Sequence, residues 1–255
     1  MKTKGCLYGV SLGPGDPGLI TRKAWECLQQ NAVWTYPKRN KKSDSYAFDI
    51  AMRAGLTLPA EHQALIFPMT HDESKLTRHW LTAAQTVLEY LQQGKDVMFL
   101  VEGDASTYST FGHLARTVQG LDSDVELNII AGVASFHAAA ARIQIPIAEV
   151  DDTIAIIPAG YGLAMIEKLL KDFDTLVLLK VKPLLDDIID LLKHKNILQH
   201  ATFIEKSGAP EERVVDDVVS LYGEKVNYLS LLLIKNPERV RGEVIRGCRK
   251  KTTSE

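Results

Sequence analysis

The stretch Asp96-Val-Met-Phe-Leu-Val-Glu-Gly-Asp-Ala-Ser-Thr-Tyr-Ser-Thr-Phe111 reads as a buried strand that runs into a polar, glycine-centred loop. Val97 to Val101 is an unbroken apolar run, of the kind found in a parallel sheet covered on both faces. Glu102, Gly103 and Asp104 then bring two carboxylates and an unencumbered backbone to the strand's C-terminal end, the edge at which open α/β sheets bind ligands. The plainer alternative is a strand-to-helix turn. In that case Gly103 supplies a positive φ, and Asp104 or Ser106 caps a helix from Tyr108 to Val118.

Strands and helices alternate on both sides of this stretch. Upstream, the pattern predicts strands at Cys6–Leu12, Ala32–Tyr36 and Ala64–Phe67, and helices at Thr21–Gln30, Ser45–Ala54 and Glu73–Gln93. Downstream come a strand at Val125–Ile130, a second glycine turn Ala131-Gly-Val-Ala-Ser135 and an alanine-rich helix Phe136–Ile143. This order implies a right-handed parallel βαβ sheet. Ile145 to Asp152 interrupts the pattern with a proline and an acidic cluster and reads as a linker. Beyond it lies a second α/β unit, with strands at Thr153–Pro158, Thr175–Val181, Thr202–Ile204 and Tyr228–Ile234 and helices at Leu163–Lys171, Leu184–Leu192 and Asp216–Leu221. The expected division is residues 1–146, 147–240 and a polar tail, 241–255.

With 255 residues, 45% hydrophobic and 24% charged, the chain is long enough for two globular α/β domains. No apolar stretch is long enough to span a membrane and no signal-peptide pattern is present, so a soluble, cytoplasmic protein is expected. A net charge of −2 argues against a nucleic-acid partner. Two basic runs stand out, Lys38-Arg39-Asn40-Lys41-Lys42 and Arg246 to Lys251. Cys6, Cys27 and Cys248 are widely spaced and read as reduced structural thiols. The seven histidines, His62, His71, His79, His113, His137, His194 and His200, show no metal-ligand spacing, so no metal site is expected. No Ser-His-Asp or Cys-His order suggests a covalent nucleophile. Trp25, Trp34 and Trp80 read as core.

Gly13-Pro-Gly-Asp-Pro-Gly18 formally satisfies G-x-G-x-x-G after a strand and before a helix. That fingerprint works through backbone N–H groups aimed at a pyrophosphate, and Pro14 and Pro17 have none. The acidic residue that would hold a ribose is also missing, since the second strand ends in Pro37-Lys38-Arg39. A Lys-Arg pair could receive a 2′-phosphate, which keeps an NADP-binding oxidoreductase as an alternative. Five loops end predicted strands: Gly13–Gly18, Glu102–Thr110, Ala131–Ser135, Lys180–Lys182 and Glu205–Gly208. Their convergence on a trough between the domains is the expected site.

Gly-Pro-Gly-Asp-Pro-Gly-Leu-Ile-Thr at 13–21, Glu-Gly-Asp at 102–104 and Ala-Gly-Val-Ala-Ser-Phe at 131–136, in this order and spacing, resemble the tetrapyrrole methyltransferase family. Tyr108-Ser-Thr-Phe111, Phe67-Pro-Met69 and Ala139 to Glu149 resemble its precorrin-2 or cobalt-factor II C20-methyltransferase branch, the alternative within the family being a methyltransferase that acts at another ring carbon. Ala105 departs from the family's usual Gly-Asp-Pro and implies a less rigid loop. The resemblance implies S-adenosylmethionine as methyl donor, a reduced tetrapyrrole as acceptor in cobalamin synthesis, and a homodimer. It places cofactor contacts on Pro14, Glu102, Gly103, Asp104, Thr107, Ala134, Ser135, Lys180 and Ser207, with Asp104 suited to accept hydrogen bonds from the cofactor's amino group. Substrate carboxylates would fall to Lys38, Arg39 and Arg142, with Lys41 and Lys42 beside them. Asp16, Tyr108 or His137 could accept the released proton, Asp16 and Tyr108 being the catalytic candidates.

Overall fold

The computed structural model describes residues 4–70, 72–240 and 242. His71, Cys248, the basic run 246–251 and nearly all of the 241–255 tail lie outside the described residues. The chain divides into two compact units, Met1–Ala139 with Lys206–Glu212, and Ala140–Glu205 with Arg213–Glu255. The division therefore comes earlier than residue 146, and a short downstream segment returns to the first unit.

The first unit carries β1 (Leu7–Ser11), α1 (Arg22–Leu28), β2 (Val33–Lys38), α2 (Tyr46–Arg53), β3 (His62–Ile66), α3 (Glu73–Gln92), β4 (Val97–Val101), α4 (Phe111–Leu121), β5 (Leu127–Ile130) and the start of α5 (Ser135–Ile143). Its five strands are all parallel, in the order β3-β2-β4-β1-β5. β4 sits between its neighbours because its sequence allows no polar face. All five of its side chains are buried. Val97, Phe99 and Val101 join the core with Ala84, Val87 and Leu91 of α3 and Leu114 and Val118 of α4. Met98 and Leu100 join the opposite core with Leu28 of α1 and Ile50 of α2. Each buried side chain of this size contributes roughly 1.5–3 kcal/mol relative to exposure. Helix starts are marked by side-chain caps: Thr21 accepts from Ala24 N, Ser45 from Phe48 N and Asp72 from Lys75 N.

The second unit carries the rest of α5, then β6 (Ile154–Pro158), α6 (Leu163–Asp172), β7 (Thr175–Leu179), α7 (Leu185–His194), β8 (Ala201–Glu205), β9 (Arg213–Val215) and β10 (Ser230–Lys235). Its sheet, β6-β7-β10-β8-β9, is mixed: β6 and β7 are parallel, and the remaining pairs are antiparallel. β9 is an addition to the expected set, too short to stand out as an apolar run. The expected helix at 216–221 is instead a single 3-10 turn, Val218–Leu221. Asp216 is drawn to Thr202 Oγ1 on β8 at 3.1 Å, and β-branched Val218 and Val219 resist extension into an α-helix.

Candidate active site

In the first sheet the chain leaves β1 for β2, crossing beyond β4, and leaves β4 for β5, crossing beyond β1. The two connections leave on opposite faces of the sheet, α1 packing in one core and α4 in the other, which makes the C-terminal ends of β1 and β4 the switch-point crevice where ligands bind in open parallel sheets. The loops there are fastened to each other. Gly103 N donates to Gly13 O at 2.8 Å and Gly13 N to Gly103 O at 3.2 Å. Ser11, fully buried at the end of β1, accepts from Ala105 N through Oγ at 2.8 Å. A proline at 105 could not make that bond, so the departure from Gly-Asp-Pro supplies a tether in place of the stiffness it removes.

Asp104 ties in the third loop. Its Oδ2 accepts from Gly132 N at 2.8 Å, while Oδ1 accepts from Ser106 N at 2.9 Å, from Ser106 Oγ, and from Thr107 Oγ1 at 3.4 Å. Burial pushes this carboxyl upward, but the hydrogen bonds outweigh it and hold Asp104 below its ordinary value. Gly132 must be glycine for the closure, because a Cβ there would lie 2.3 Å from Ser11 Cβ and 2.8 Å from Gly103 O. Thr21 Oγ1 adds a bond to Ala131 O at 3.2 Å. Neither Asp104 nor Ser106 caps the following helix. Tyr108 takes φ +50, a conformation no helix continues, so α4 begins at Phe111, whose N–H is received by Ser109 Oγ.

Most of the anticipated cofactor residues fall within this first unit. Pro14 and Ala134 are buried, and Glu102, Gly103, Thr107 and Ser135 are half-buried. Gly103 has φ +74, with no atom within 4 Å of the position a Cβ would take, so it presents bare backbone to open space. Asp16 is exposed, and its carboxylate accepts from Gly18 N at 2.8 Å, capping a 3-10 turn that Pro17 opens. The 206–212 segment packs on this loop: a Cβ on Gly208 would meet Asp16 N at 2.9 Å. Ser207 is buried there, and its Oγ has no hydrogen-bond partner. Glu102 likewise makes no hydrogen bond or ion pair among the described residues, and burial pushes its carboxyl up to about 7 against the opposing charge of Arg39.

Other candidates are placed elsewhere. Lys180 belongs to the second unit, at the end of β7, with φ +56, its N–H donating to Ser230 O at 2.9 Å and its ammonium 5.9 Å from the Tyr228 ring centroid. Arg142 is exposed on the second-unit part of α5. Tyr108 is 54% exposed and His137 is exposed beside the Phe136 ring. Lys38 ends β2, and Arg39, Lys41 and Lys42 ride on a turn built by its own side chains. Asn40 Oδ1 accepts from Lys42 N and Ser43 N at 2.9 Å, and Ser43 Oγ accepts from Arg39 N and Asn40 N at 3.1 Å. None of these four cations pairs with a carboxylate among the described residues.

Sequence reasoning passes over Ser11, Tyr46 and Arg53, and names the Gly132 turn without its bond to Asp104. Arg53 donates to Gly15 O at 2.7 Å, and the Tyr46 hydroxyl is buried without a partner, with burial and the charge of Glu102 pushing it up to about 12. Ser11 alone left a signal, a polar residue closing an apolar strand.

The geometry removes the dinucleotide alternative. A dinucleotide fold places β1 beside β2, whereas β4 lies between them here. The Gly13–Gly18 loop also runs into a 3-10 turn before α1, so no helix N-terminus opens directly onto it.

A parallel α/β unit with glycine loops locked together at its switch point has the arrangement by which open sheets bind small molecules. Residues 6–221 match the family of tetrapyrrole (corrin/porphyrin) methylases, and the chain belongs to that family. It is 31% identical over 91% of its length to a probable cobalt-precorrin-2 C(20)-methyltransferase of Methanocaldococcus jannaschii, covering 97% of that protein. It is 33% identical over 82% of its length to the cobalt-precorrin-2 C(20)-methyltransferase of Salmonella typhimurium, covering 86% of it. The crystal structure of a cobalt precorrin-4 methyltransferase shares the fold, with a TM-score of 0.67 and 22% identity over 89% of this chain and 94% of that one.

Proposed function

We propose that the protein is an S-adenosylmethionine-dependent methyltransferase acting on C20 of precorrin-2, or of its cobalt-bearing counterpart, in cobalamin synthesis. The observation that carries this reading is the interlocking of the Gly13, Gly103 and Gly132 loops at the switch point, in a chain whose relatives at 31% and 33% identity bear that name. The residues fit such a cofactor. Gly103 offers backbone polar groups beside open space, and the buried Ser207 Oγ has a hydrogen-bonding capacity that no protein group uses. Pro14, Glu102, Gly103, Thr107, Ala134, Ser135 and Ser207 are the residues of the first unit that would hold the cofactor; Lys180 is a further candidate. The carboxylate of Asp104 is occupied largely by Gly132, Ser106 and Thr107, so its part is to hold the loop that meets the cofactor.

When bound, S-adenosylmethionine supplies an electrophilic methyl group, its methyl–sulfur bond breaking with the electron pair kept by sulfur as the methyl–carbon bond forms. The protein's contribution is positioning, which can lower a barrier by roughly 7–11 kcal/mol without any covalent nucleophile. Lys38, Arg39 and Arg142 would meet the carboxylates of the tetrapyrrole, with Lys41 and Lys42 adding charge, through charge-assisted hydrogen bonds. A homodimer belongs to the same reading and is checked by light scattering. The test is incubation of the purified protein with labelled methyl donor and either acceptor, followed by carbon-13 NMR of the product. Label at C20 supports the reading, and label at another ring carbon or in no product overturns it.

A further inference from the structure

We propose that Glu102 is the group that takes up the proton released when the hydrogen-bearing acceptor carbon is methylated. The inference rests on the methyltransferase reading above. Carbon–carbon bond formation at such a meso carbon leaves it with one substituent too many. Its C–H bond then breaks, the electron pair returns to the conjugated ring system, and the proton passes to a carboxylate oxygen.

Adjacent carboxylates on one loop are treated very differently by the fold. Asp104 is saturated with donors, whereas Glu102, half-buried at the end of β4 and directly beside the bare backbone of Gly103, has no hydrogen bond or ion pair among the described residues. A base needs that vacant lone pair. Two groups on separate elements interact with it, Arg39 after β2 and Tyr46 on α2, while Arg53, Glu211 and Asp49 act on Tyr46. Only Arg39 opposes burial at Glu102, and the carboxyl is left at about 7, close to the value at which a general base works best near neutrality. The Tyr46 hydroxyl, sealed in without a partner, feels the charge of Glu102 and adds no salt bridge that would quench it. Asp16 is a poorer candidate, being exposed and engaged as a cap.

The experiment compares wild type with Glu102→Gln and Glu102→Asp. Carbon-13 NMR of side-chain-labelled glutamates in the protein alone should show one carboxyl titrating near pH 7, absent in Glu102→Gln; titration of that resonance in the ordinary carboxylate range would overturn the proposal. In single turnover at saturating methyl donor, Glu102→Gln should slow methyl transfer about 100-fold or more and abolish the acid limb of the rate profile. Glu102→Asp should retain part of the rate with the limb displaced. An unchanged rate and acid limb in Glu102→Gln would overturn the role of Glu102 while leaving the methyltransferase reading intact. Absence of transfer by wild type would overturn both.

Discussion

The two sheets are made from similar apolar runs, yet their C-terminal edges are held in different ways. In the first, every strand is parallel, so residues distant in sequence arrive at one edge. Ser11 meets Ala105 across 94 positions and Asp104 meets Gly132 across 28, both through side chains. In the second, β10 is antiparallel to β7 and β8, so the strand returns beside its neighbours and the edge is closed by backbone, as in Lys180 N to Ser230 O at 2.9 Å. Parallel strands leave their ends to be fastened by side chains, and those fastenings make the first edge a shaped site. Non-glycine residues at positive φ mark both edges: Tyr108 in the first unit, Lys180 in the second and Lys206 where the chain returns to the first. Backbone strain of this kind costs on the order of 1–3 kcal/mol and gathers at functional loops.

The comparison is broken most severely at Gly132. Gly132→Val should destabilise the protein by about 3 kcal/mol in denaturant titration, because the loop cannot approach Ser11 and Gly103. A silent substitution there would mean that the first edge is as loosely held as the second. Asp104→Ala should cost about 2 kcal/mol by freeing the Gly132 and Ser106 amides. Because the Asp104 value is lowered on folding, its contribution is complete above the unfolded carboxylate range and is lost as pH falls through the folded value. The difference between wild type and variant should therefore shrink in acid.

Ala105→Pro tests the tether. A proline there would ordinarily stiffen a loop and stabilise it, but here it removes the bond to Ser11 Oγ and leaves a buried hydroxyl unpaired, a loss of about 1–2 kcal/mol by thermal unfolding. Glu102 works in the opposite pH sense from Asp104. Its value is raised on folding, so folded-state stability falls as pH rises from the unfolded carboxylate range through about 7. Glu102→Gln should gain on the order of 1–2 kcal/mol relative to wild type between pH 6 and pH 8. The smallest effect is expected in the second sheet: Lys180→Gly should stabilise by up to about 1 kcal/mol through relief of its positive φ while weakening cofactor binding.

The parts of the fold carried by local pattern were legible in the sequence. The apolar run at Val97–Val101 coincides with β4, and the helix read from Glu73 onward begins there, at its Asp72 cap. The glycine loops were visible as candidates because each closes such a run. What could not be read was which loops touch. The order β3-β2-β4-β1-β5 and the bond from Gly132 to Asp104 depend on long-range packing that leaves no local periodicity. From sequence the Asp104 carboxylate reads as an acceptor for the cofactor, and the fold gives it further partners in the Gly132 and Ser106 amides and the Ser106 and Thr107 hydroxyls. The α4 start was misjudged because nothing in Tyr108 itself announces a positive φ, and β9 was missed because Arg213-Val-Val215 is shorter than any reliable alternation.

The most direct test of the account is calorimetric titration of wild type and Gly103→Arg with S-adenosylhomocysteine, with NADP as control. The account predicts micromolar binding by wild type and none by Gly103→Arg, whose side chain would fill the open space beside the loop while the protein still melts cooperatively. Equal binding by the two proteins, or binding of NADP alone, would contradict the claim that the switch point of the first sheet is the cofactor site.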